Sequence, residues 1–312
     1  MNMERKTAFI FPGQGSQYVG MGRNLYDAYS DVRERYEQAN EILGFDVAKL
    51  SFNGPIEELS QTNITQPALF VHSFVLFEKL ASCVTPHMMA GHSLGEYSAL
   101  AAAQTFDFES GLELVKVRAE LMGNANSYQE GSMAAIIGLD KETLENVCQQ
   151  AGKTGTVSIA NYNSPEQIVI SGDVDGVVQA IRLANKAGAK RAVPLNVSGA
   201  FHSPLMQPAL ETFSSALAKV TCSLPKQTVF HNVTAQPAQN CQSIPHLLKQ
   251  QLVSPVLWTD TIRNMIADGA NTFYEVGAGK VLSGLLRRID KSVQTINVGT
   301  AEQLTNVIEE AN

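Results

Sequence analysis

The stretch at residues 88–103, MMAGHSLGEYSALAAA, passes from small and apolar residues into helix formers at Gly-His-Ser-Leu-Gly. Its apolar start predicts a buried strand, and the residues at 94–103 predict a helix. Gly91 and Gly95 flank Ser93 in the G-x-S-x-G pattern of a nucleophile elbow. A sharp strand-to-helix turn exposes the serine hydroxyl there, and the glycines keep Cβ atoms out of a crowded backbone. The pattern predicts that Ser93 is a nucleophile; the alternative is an ordinary tight turn.

Strands and helices alternate on both sides of this stretch. Before it, residues 7–11 predict a strand that ends at Pro-Gly, and the apolar patterns predict helices at 31–43 and 67–82. After it, residues 108–123 predict another helix. This alternation is typical of a parallel sheet covered by helices, so we expect an α/β fold.

The pattern changes between residues 128 and 197. The apolar runs there predict strands at 132–138, 156–160, 167–171 and 190–195 and helices at 141–150 and 174–187. The order β-α-β-β-α-β is that of a ferredoxin-like unit. We therefore expect a subdomain at 128–197, inserted into a core made of residues 1–127 and 198–312. Elements predicted after the insertion are helices at 205–220, 244–252, 256–268 and 281–289 and strands at 228–233, 272–276 and 293–298.

Composition restricts the class of function. The chain has 312 residues, of which 44% are hydrophobic and 17% charged, as in a globular protein with a sizeable core. Its net charge of −7 disfavours nucleic-acid binding, which needs a basic face. No run approaches the ~20 apolar residues that span a bilayer, and the apolar run near the N-terminus is too short for a signal peptide. Four scattered cysteines lack metal-ligand spacing, so we expect reduced thiols and no bound metal. Together with the short apolar runs, this predicts a cytoplasmic protein that does not bind to a membrane.

A serine nucleophile needs a base, and the sequence contains six histidines. His92 adjoins the serine, and we expect it to pack against the turn or to orient it. His202, in VSGAFHSPLM, follows a loop of small residues and precedes a helix, a place where catalytic groups often lie. His202 is therefore the favoured base. No aspartate stands out as a third member, so either a main-chain carbonyl or an unrecognised acid orients the histidine.

Two glycine-rich loops and one arginine are further candidates. FPGQGSQYVGMG at 11–22 fits neither the dinucleotide nor the P-loop spacing, so we expect it to line the site and to bring a backbone N–H near Gln14. VGAGKVLSG at 276–284 contains Gly-Lys, but Val281 stands where a P-loop requires Ser or Thr. Arg118, in the apolar segment LVKVRAELM, is either a surface charge or a planar fork for a substrate carboxylate.

Together these segments resemble the malonyl-CoA:acyl-carrier-protein transacylase family. The resemblance extends over nearly the whole chain, in the blocks FPGQGSQYVGMG, QTNITQPALF, GHSLGEYSALAAA, LVKVRAELM, IANYNSPEQIVISG, GAFHSPLM, QLVSPVLW and EVGAGKVLSGLL. It implies a hydrolase-like α/β core beside a ferredoxin-like subdomain. It also implies a ping-pong reaction in which a malonyl group passes from malonyl-CoA to a serine, and then to the phosphopantetheine thiol of an acyl carrier protein.

The resemblance implies a role for each matching residue of the site. Ser93 matches the nucleophile that forms the acyl-enzyme, and His202 matches its base. Arg118 matches the guanidinium that binds the free carboxylate of the malonyl group. Gln14 and Leu94 match the residues whose backbone N–H groups form the oxyanion hole.

Further matches have supporting roles. Gln251 matches a glutamine whose main-chain carbonyl orients the histidine, which would explain the missing aspartate. His92 and Asn163 match positions close to the site. Phe201 resembles the residue of enzymes that choose malonyl over methylmalonyl, because its ring would crowd an α-methyl group. Ala119 departs from the glycine that many relatives carry after the arginine.

The resemblance also implies the ligands: malonyl-CoA, CoA and an acyl carrier protein, with no cofactor, and we expect a monomer. TFDFESGLELVKVRAELMG favours the free-standing acyltransferases that load modular polyketide synthases over the fatty-acid enzyme. One alternative is a hydrolase that cleaves acyl groups from carrier proteins, and another is a non-catalytic module that binds the carrier. Because carrier proteins are acidic, basic residues are candidates for docking: Lys186, Lys190, Arg191, Arg287 and Arg288.

Overall fold

A computed structural model describes residues 6–311 of the chain, which contain two β-sheets and their covering helices. The strands are β1 Lys6–Phe11, β2 Met88–Gly91, β3 Gly131–Ile137, β4 Val157–Ser164, β5 Gln167–Asp173, β6 Arg191–Pro194, β7 Thr228–Phe230, β8 Ala270–Val276 and β9 Gln294–Val298. The helices are α1 Arg23–Ala28, α2 Ser30–Leu43, α3 Val47–Asn53, α4 Ile56–Leu59, α5 Thr62–Leu80, α6 Gly95–Ala102, α7 Phe108–Gly123, α8 Ala125–Tyr128, α9 Lys141–Ala151, α10 Val174–Lys186, α11 Leu210–Leu217, α12 Ser243–Gln251, α13 Trp258–Ala267, α14 Val281–Ile289 and α15 Ala301–Ala311. A 3₁₀ helix, Pro204–Ala209, precedes α11. None of these helices is both long and apolar enough to span a membrane.

The larger sheet has the order β7-β2-β1-β8-β9, and every neighbouring pair is parallel. Its central strand β1 is buried on both faces. Phe9 and Phe11 point into one apolar cluster, whereas Ala8 and Ile10 point into the cluster on the opposite face. Burial of both faces explains why the run TAFIF is continuously apolar rather than alternating. The predicted α/β class is confirmed.

The smaller sheet is antiparallel, with the order β4-β5-β3-β6, and the helices α9 and α10 pack on it. The chain order from β3 to β6 is the predicted β-α-β-β-α-β order. Two backbone hydrogen bonds join this sheet to the core, from Tyr162 N–H to the Val256 carbonyl at 2.9 Å and from Val256 N–H to the Ala160 carbonyl at 2.8 Å. The strand β4 is therefore fixed beside the core. The predicted limits of the subdomain, 128–197, stay a prediction.

Several predicted elements differ from the structure in their bounds. The helix predicted at 205–220 is divided into the 3₁₀ helix and α11, because Pro208 has no N–H for an α-helical hydrogen bond. The strand predicted at 228–233 ends at Phe230, since His231 begins a turn in which the Ala235 N–H donates to the His231 carbonyl. The helix predicted from residue 67 begins at Thr62 and contains the proline. Five helices were not predicted: α1, α3, α4, α8 and α15.

The elbow glycines permit contact between α6 and the sheet. A Cβ atom on Gly95 would lie 2.0 Å from the carbonyl oxygen of Phe11, and one on Gly91 would lie 1.9 Å from the carbonyl oxygen of Gly95. Neither neighbour is a flexible side chain that could move aside. Glycine at these positions lets the first turn of α6 touch the end of β1.

We expect Gly95→Ala to lower the free energy of unfolding by about 2–3 kcal/mol, because the added methyl group overlaps a main-chain oxygen. Gly284→Ala is the matched control. Gly284 is exposed within α14, and its added Cβ meets no atom within 4 Å, so alanine there should raise the free energy by about 0.5–1 kcal/mol. Urea denaturation of the two variants measures both values. Equal effects would contradict the steric account.

Candidate active site

Three neighbouring parallel strands, β7, β2 and β1, end at one edge of the large sheet, and the loops that follow them form the base of a cleft. Ser93 lies in the loop after β2 with a φ of 52°, in the left-handed region expected of an elbow. Its N–H donates to Asn232 Oδ1, in the loop after β7, at 2.7 Å. The His92 N–H donates to the Phe11 carbonyl at 3.0 Å. These contacts hold the strained turn on both sides.

The predicted nucleophile and base are hydrogen-bonded. Ser93 Oγ lies 2.8 Å from His202 Nε2, and His202 Nδ1 lies 2.7 Å from the main-chain carbonyl oxygen of Gln251. Because the carbonyl can only accept, Nδ1 carries the proton and Nε2 accepts from the serine hydroxyl. The carbonyl of Gln251 therefore occupies the place of the carboxylate in a Ser-His-Asp triad. Of the two possibilities left open by the sequence, the structure has the main-chain carbonyl.

His202 is held in its neutral form. Burial, followed by the positive charge of Arg118, lowers its pKa from 6.5 to about 3, although the hydrogen bond to Gln251 opposes the shift. A neutral imidazole is the form that can accept a proton from Ser93. The site is therefore set up for general-base chemistry at neutral pH.

Arg118 is completely buried in α7, which excludes the alternative of a surface charge. Its Nη1 donates to Gln66 Oε1 at 2.6 Å, and its Nη2 donates to Ser93 Oγ at 2.9 Å and to Gln251 Oε1 at 3.0 Å. The guanidinium carbon also lies 5.1 Å from the centre of the Tyr97 ring. No salt bridge joins it to a carboxylate within residues 6–311. A buried cation whose partners are neutral is suited to binding an anionic ligand.

The two N–H groups predicted to form an oxyanion hole lie in loops that meet. A Cβ on Gly13 would lie 2.4 Å from the carbonyl oxygen of His92, so the loop after β1 passes directly over the elbow and places Gln14 there. The Gln14 side chain donates to Thr62 Oγ1 at 3.1 Å. Within the part of the chain that the structure describes, neither the Leu94 N–H nor the Gln14 N–H donates a hydrogen bond. Both can donate to an oxygen that develops charge next to Ser93.

The other predicted residues lie around this centre. His92 Nε2 lies 2.8 Å from Asn163 Oδ1, its ring meets the Trp258 ring edge-on, and it lines the cleft together with Ser93. Burial lowers the pKa of His92, which is consistent with a neutral packing role. Phe201 is 5% exposed and lines the cleft. Gln251 lies behind the cleft, where it contacts the histidine, the arginine and the elbow.

The cleft lies between the core and the small sheet. Both contribute apolar side chains to its walls, Met122 from the core and Met133, Leu195 and Val197 from the subdomain segment. Polar groups are concentrated at its base around Ser93. This combination of apolar walls and a few converging polar groups is typical of a site for a small ligand. No three His, Cys, Asp or Glu side chains in residues 6–311 group so as to hold a metal ion.

Sequence reasoning missed several residues that contact this centre. Gln66 fixes Arg118, and Asn161 lines the cleft. Glu96 and Asn232 lie under the elbow. Gln66 and Glu96 had a usable signal, because each is a polar residue in a helix segment that is otherwise almost entirely buried. Asn232 had none, since its partner lies 139 residues away in the chain.

The low pKa of His202 predicts how Ser93 reactivity depends on pH. Because the pKa lies below 6.5, the histidine stays unprotonated as the pH falls from 8 to 5. We expect the rate of Ser93 labelling by a fluorophosphonate probe to show no inflection near pH 6.5. The unfolded histidine does bind a proton below pH 6.5, so the shift removes stability as the pH falls toward 3, and circular dichroism must show an intact fold. A half-maximal rate near pH 6.5 would contradict the assignment.

Comparison with known proteins agrees with this geometry. Residues 8–305 match the family model of the acyl transferase domain. The malonyl CoA-acyl carrier protein transacylase of Bacillus subtilis (strain 168) is 43% identical over 306 residues, which cover 97% of this chain and 96% of that protein. The crystal structure of an acyl carrier protein S-malonyltransferase from Vibrio cholerae superimposes with a TM-score of 0.93. Its sequence is 41% identical, and the match covers 97% of this chain and 99% of that chain. A malonyl-transacylase solved with its type II PKS acyl-carrier protein is 38% identical in sequence and superimposes with a TM-score of 0.94. That match covers 98% of this chain and 99% of the other chain. The resemblance is thereby confirmed, and the chain belongs to the acyl transferase domain family, among the malonyl CoA-acyl carrier protein transacylases.

Proposed function

We propose that the protein transfers a malonyl group from malonyl-CoA to the phosphopantetheine thiol of an acyl carrier protein, through an ester on Ser93. The observation that carries the proposal is the meeting of three groups. Ser93 Oγ lies 2.8 Å from His202 Nε2 and 2.9 Å from Arg118 Nη2. The first pair provides a nucleophile with its base, and the guanidinium provides a charge for the free carboxylate of the acyl group.

The first half-reaction forms the ester. Ser93 Oγ attacks the thioester carbonyl of malonyl-CoA while its proton passes to His202 Nε2. The N–H groups of Leu94 and Gln14 stabilise the oxyanion of the tetrahedral intermediate. The carbon–sulfur bond then breaks, and the CoA sulfur leaves as a thiol with the proton from His202. The hydrogen bond to Gln251 stabilises the imidazolium between these steps.

The second half-reaction reverses these roles. The carrier thiol gives its proton to His202 and attacks the ester carbonyl. The carbon–oxygen bond to Ser93 breaks, and His202 returns the proton to the serine. Every proton transfer passes through His202, and the two N–H groups provide all the oxyanion stabilisation. The proposed reaction therefore uses no resident cofactor.

Arg118 is the proposed determinant of the acyl group. A malonyl carboxylate buried here without a partner would be unfavourable by several kcal/mol, whereas the guanidinium offers it a charge-assisted hydrogen bond. Gln66 and Gln251 hold the guanidinium from its other sides. Binding of the carboxylate would also offset the positive charge that lowers the pKa of His202, and so would make the base stronger when substrate is present. We further propose that the ring of Phe201 disfavours an α-methyl substituent.

The finer predictions about context also remain proposals. The four free cysteines support a cytoplasmic location, where thiols stay reduced. The basic residues predicted for carrier docking are all exposed: Lys186, Lys190, Arg191, Arg287 and Arg288. A monomeric state and the preference for loading a polyketide synthase rest on the sequence resemblance alone.

The proposal predicts a malonyl-sized mass increase on the intact protein after brief incubation with malonyl-CoA. Ser93→Ala should show none, because it lacks the acceptor oxygen. The adduct should disappear when a phosphopantetheinylated carrier protein is added, with the same mass appearing on the carrier. Release of CoA without an adduct, and without any need for carrier, would indicate a hydrolase instead. Neither adduct nor CoA release would contradict the enzymatic function.

Arg118→Ala should lower kcat/KM for malonyl-CoA at least about 100-fold more than for acetyl-CoA, since only malonyl has a charge to pair. Competition between the two thioesters, scored by the mass on Ser93, measures this ratio. Lys116→Ala is the matched control, because it removes a cation of the same helix whose Nζ donates to the Ile42 carbonyl. An equal loss for malonyl and acetyl would contradict the carboxylate-binding role.

A further inference from the structure

A buried polar network lies beneath the elbow, and Glu96 is at its centre. Glu96, in α6, is 0% exposed, as are His231, Asn232 and Gln251. Glu96 Oε1 accepts from His231 Nδ1 at 2.6 Å. Glu96 Oε2 accepts from the Asn232 N–H at 3.1 Å and from Gln251 Nε2 at 2.6 Å. Three donors, two from the loop after β7 and one from the end of α12, thus converge on one carboxylate, which is the side chain with enough acceptor sites to receive them.

Two of these donors continue to the reacting groups. Asn232 Oδ1 accepts from the Ser93 N–H at 2.7 Å, and Asn232 Nδ2 donates to the Gly91 carbonyl at 2.7 Å. Asn232 therefore bridges the Gly91 carbonyl and the Ser93 N–H, the main-chain groups on either side of His92 in the elbow. Gln251 Nε2 also donates to the Ser93 carbonyl at 3.0 Å.

The orientation of the Gln251 amide depends on Glu96. The carboxylate accepts from Nε2, so the opposite atom, Oε1, faces Arg118 and accepts from its Nη2 at 3.0 Å. A flipped amide would turn its NH₂ group toward the guanidinium and its oxygen toward the carboxylate, and both contacts would be repulsive. The main-chain carbonyl of the same residue orients His202. Glu96 thus fixes the orientation of Gln251, which contacts both the base and the arginine.

We propose that Glu96 is a positioning residue for the acyl transfer. Its carboxylate fixes Asn232 and the Gln251 amide, and through them the placement of Ser93, His202 and Arg118. The inference rests on the proposed function, because it concerns the rate of Ser93 acylation. Misplacement of reacting groups by about 1 Å can slow a reaction about 100-fold, so a residue outside the cleft can control the rate.

Glu275 provides a matched control. It is also 0% exposed, and its carboxylate accepts from the N–H groups of Leu282 at 2.9 Å and Ser283 at 2.7 Å. It makes no hydrogen bond to the elbow, to Asn232 or to Gln251 within residues 6–311. Removing it deletes a buried carboxylate of similar hydrogen-bonding capacity without touching the network.

The experiment compares the single-turnover rate of malonyl-serine formation, scored by intact mass, and thermal unfolding in wild type, Glu96→Ala, Glu96→Gln and Glu275→Ala. We expect Glu96→Ala to slow acylation about 100-fold while the KM for malonyl-CoA changes less than about threefold. Glu96→Gln should stay within about threefold of wild type. Its amide oxygen can accept from Asn232 and Gln251 while its NH₂ donates to His231 Nδ1, because the His231 proton can move to the unpartnered Nε2. Glu275→Ala should unfold at a lower temperature but acylate at the wild-type rate.

A wild-type rate for folded Glu96→Ala would overturn the inference, and so would a Glu96→Gln variant as slow as the alanine variant. If Glu96→Ala does not fold, Glu96→Asp takes its place. Its side chain is one methylene shorter and cannot reach His231 and Gln251 together, so we expect acylation to slow about tenfold, whereas an unchanged rate would overturn the inference. Absence of malonyl-serine in the wild type would overturn the proposed function itself, and is thus distinguishable from a failure of the Glu96 inference alone.

Discussion

The close contact between the first turn of α6 and the end of β1 is the constraint on which the site depends. Gly95 touches the Phe11 carbonyl so closely that no side chain fits between them. Two residues before this contact, Ser93 adopts a left-handed conformation at the edge of the sheet. The same crowding brings the loop after β1 over the elbow, because Gly13 lies against the carbonyl of His92. Nucleophile and oxyanion-hole candidates are therefore placed by backbone packing, which is more rigid than side-chain contacts alone.

The buried charge of Arg118 is the second constraint, and no direct ion pair neutralises it within the described residues, 6–311. The guanidinium is surrounded by neutral acceptors and by an aromatic ring, while the carboxylate of Glu96 acts on it through the Gln251 amide. Burial lowers the pKa of Arg118, whereas the negative charge of Glu96 opposes that shift. A carboxylate in direct contact would satisfy the cation and compete with an acidic ligand. Separation by one amide leaves the cation able to bind a carboxylate in the cleft.

Local patterns predicted the α/β fold, whereas contacts between distant parts of the chain could not be predicted from the sequence. The run TAFIF, the elbow and the β-α-β-β-α-β order have signals within short windows of sequence, and each corresponds to an observed element. Sequence position favoured His202 among the six histidines, and the family resemblance strengthened that choice. The group that orients it is a main-chain carbonyl, which no side-chain pattern can reveal. Asn232 reaches Ser93 because β7 lies beside β2. No pattern near Asn232 or Ser93 encodes this strand order.

Because the cleft lies between a parallel and an antiparallel sheet, the two sheets supply different parts of the site. The core supplies the parts that must be rigid, since Ser93, Gln14 and Asn232 follow adjacent parallel strands. The small sheet supplies apolar wall residues and Asn163, which holds His92, and β4 is joined to the core by backbone hydrogen bonds to Val256. Those two bonds fix β4, the strand that carries Asn163, beside the core. The elbow and the neighbouring wall of the cleft are therefore held together by direct contacts, around a nucleophile whose geometry controls the chemistry.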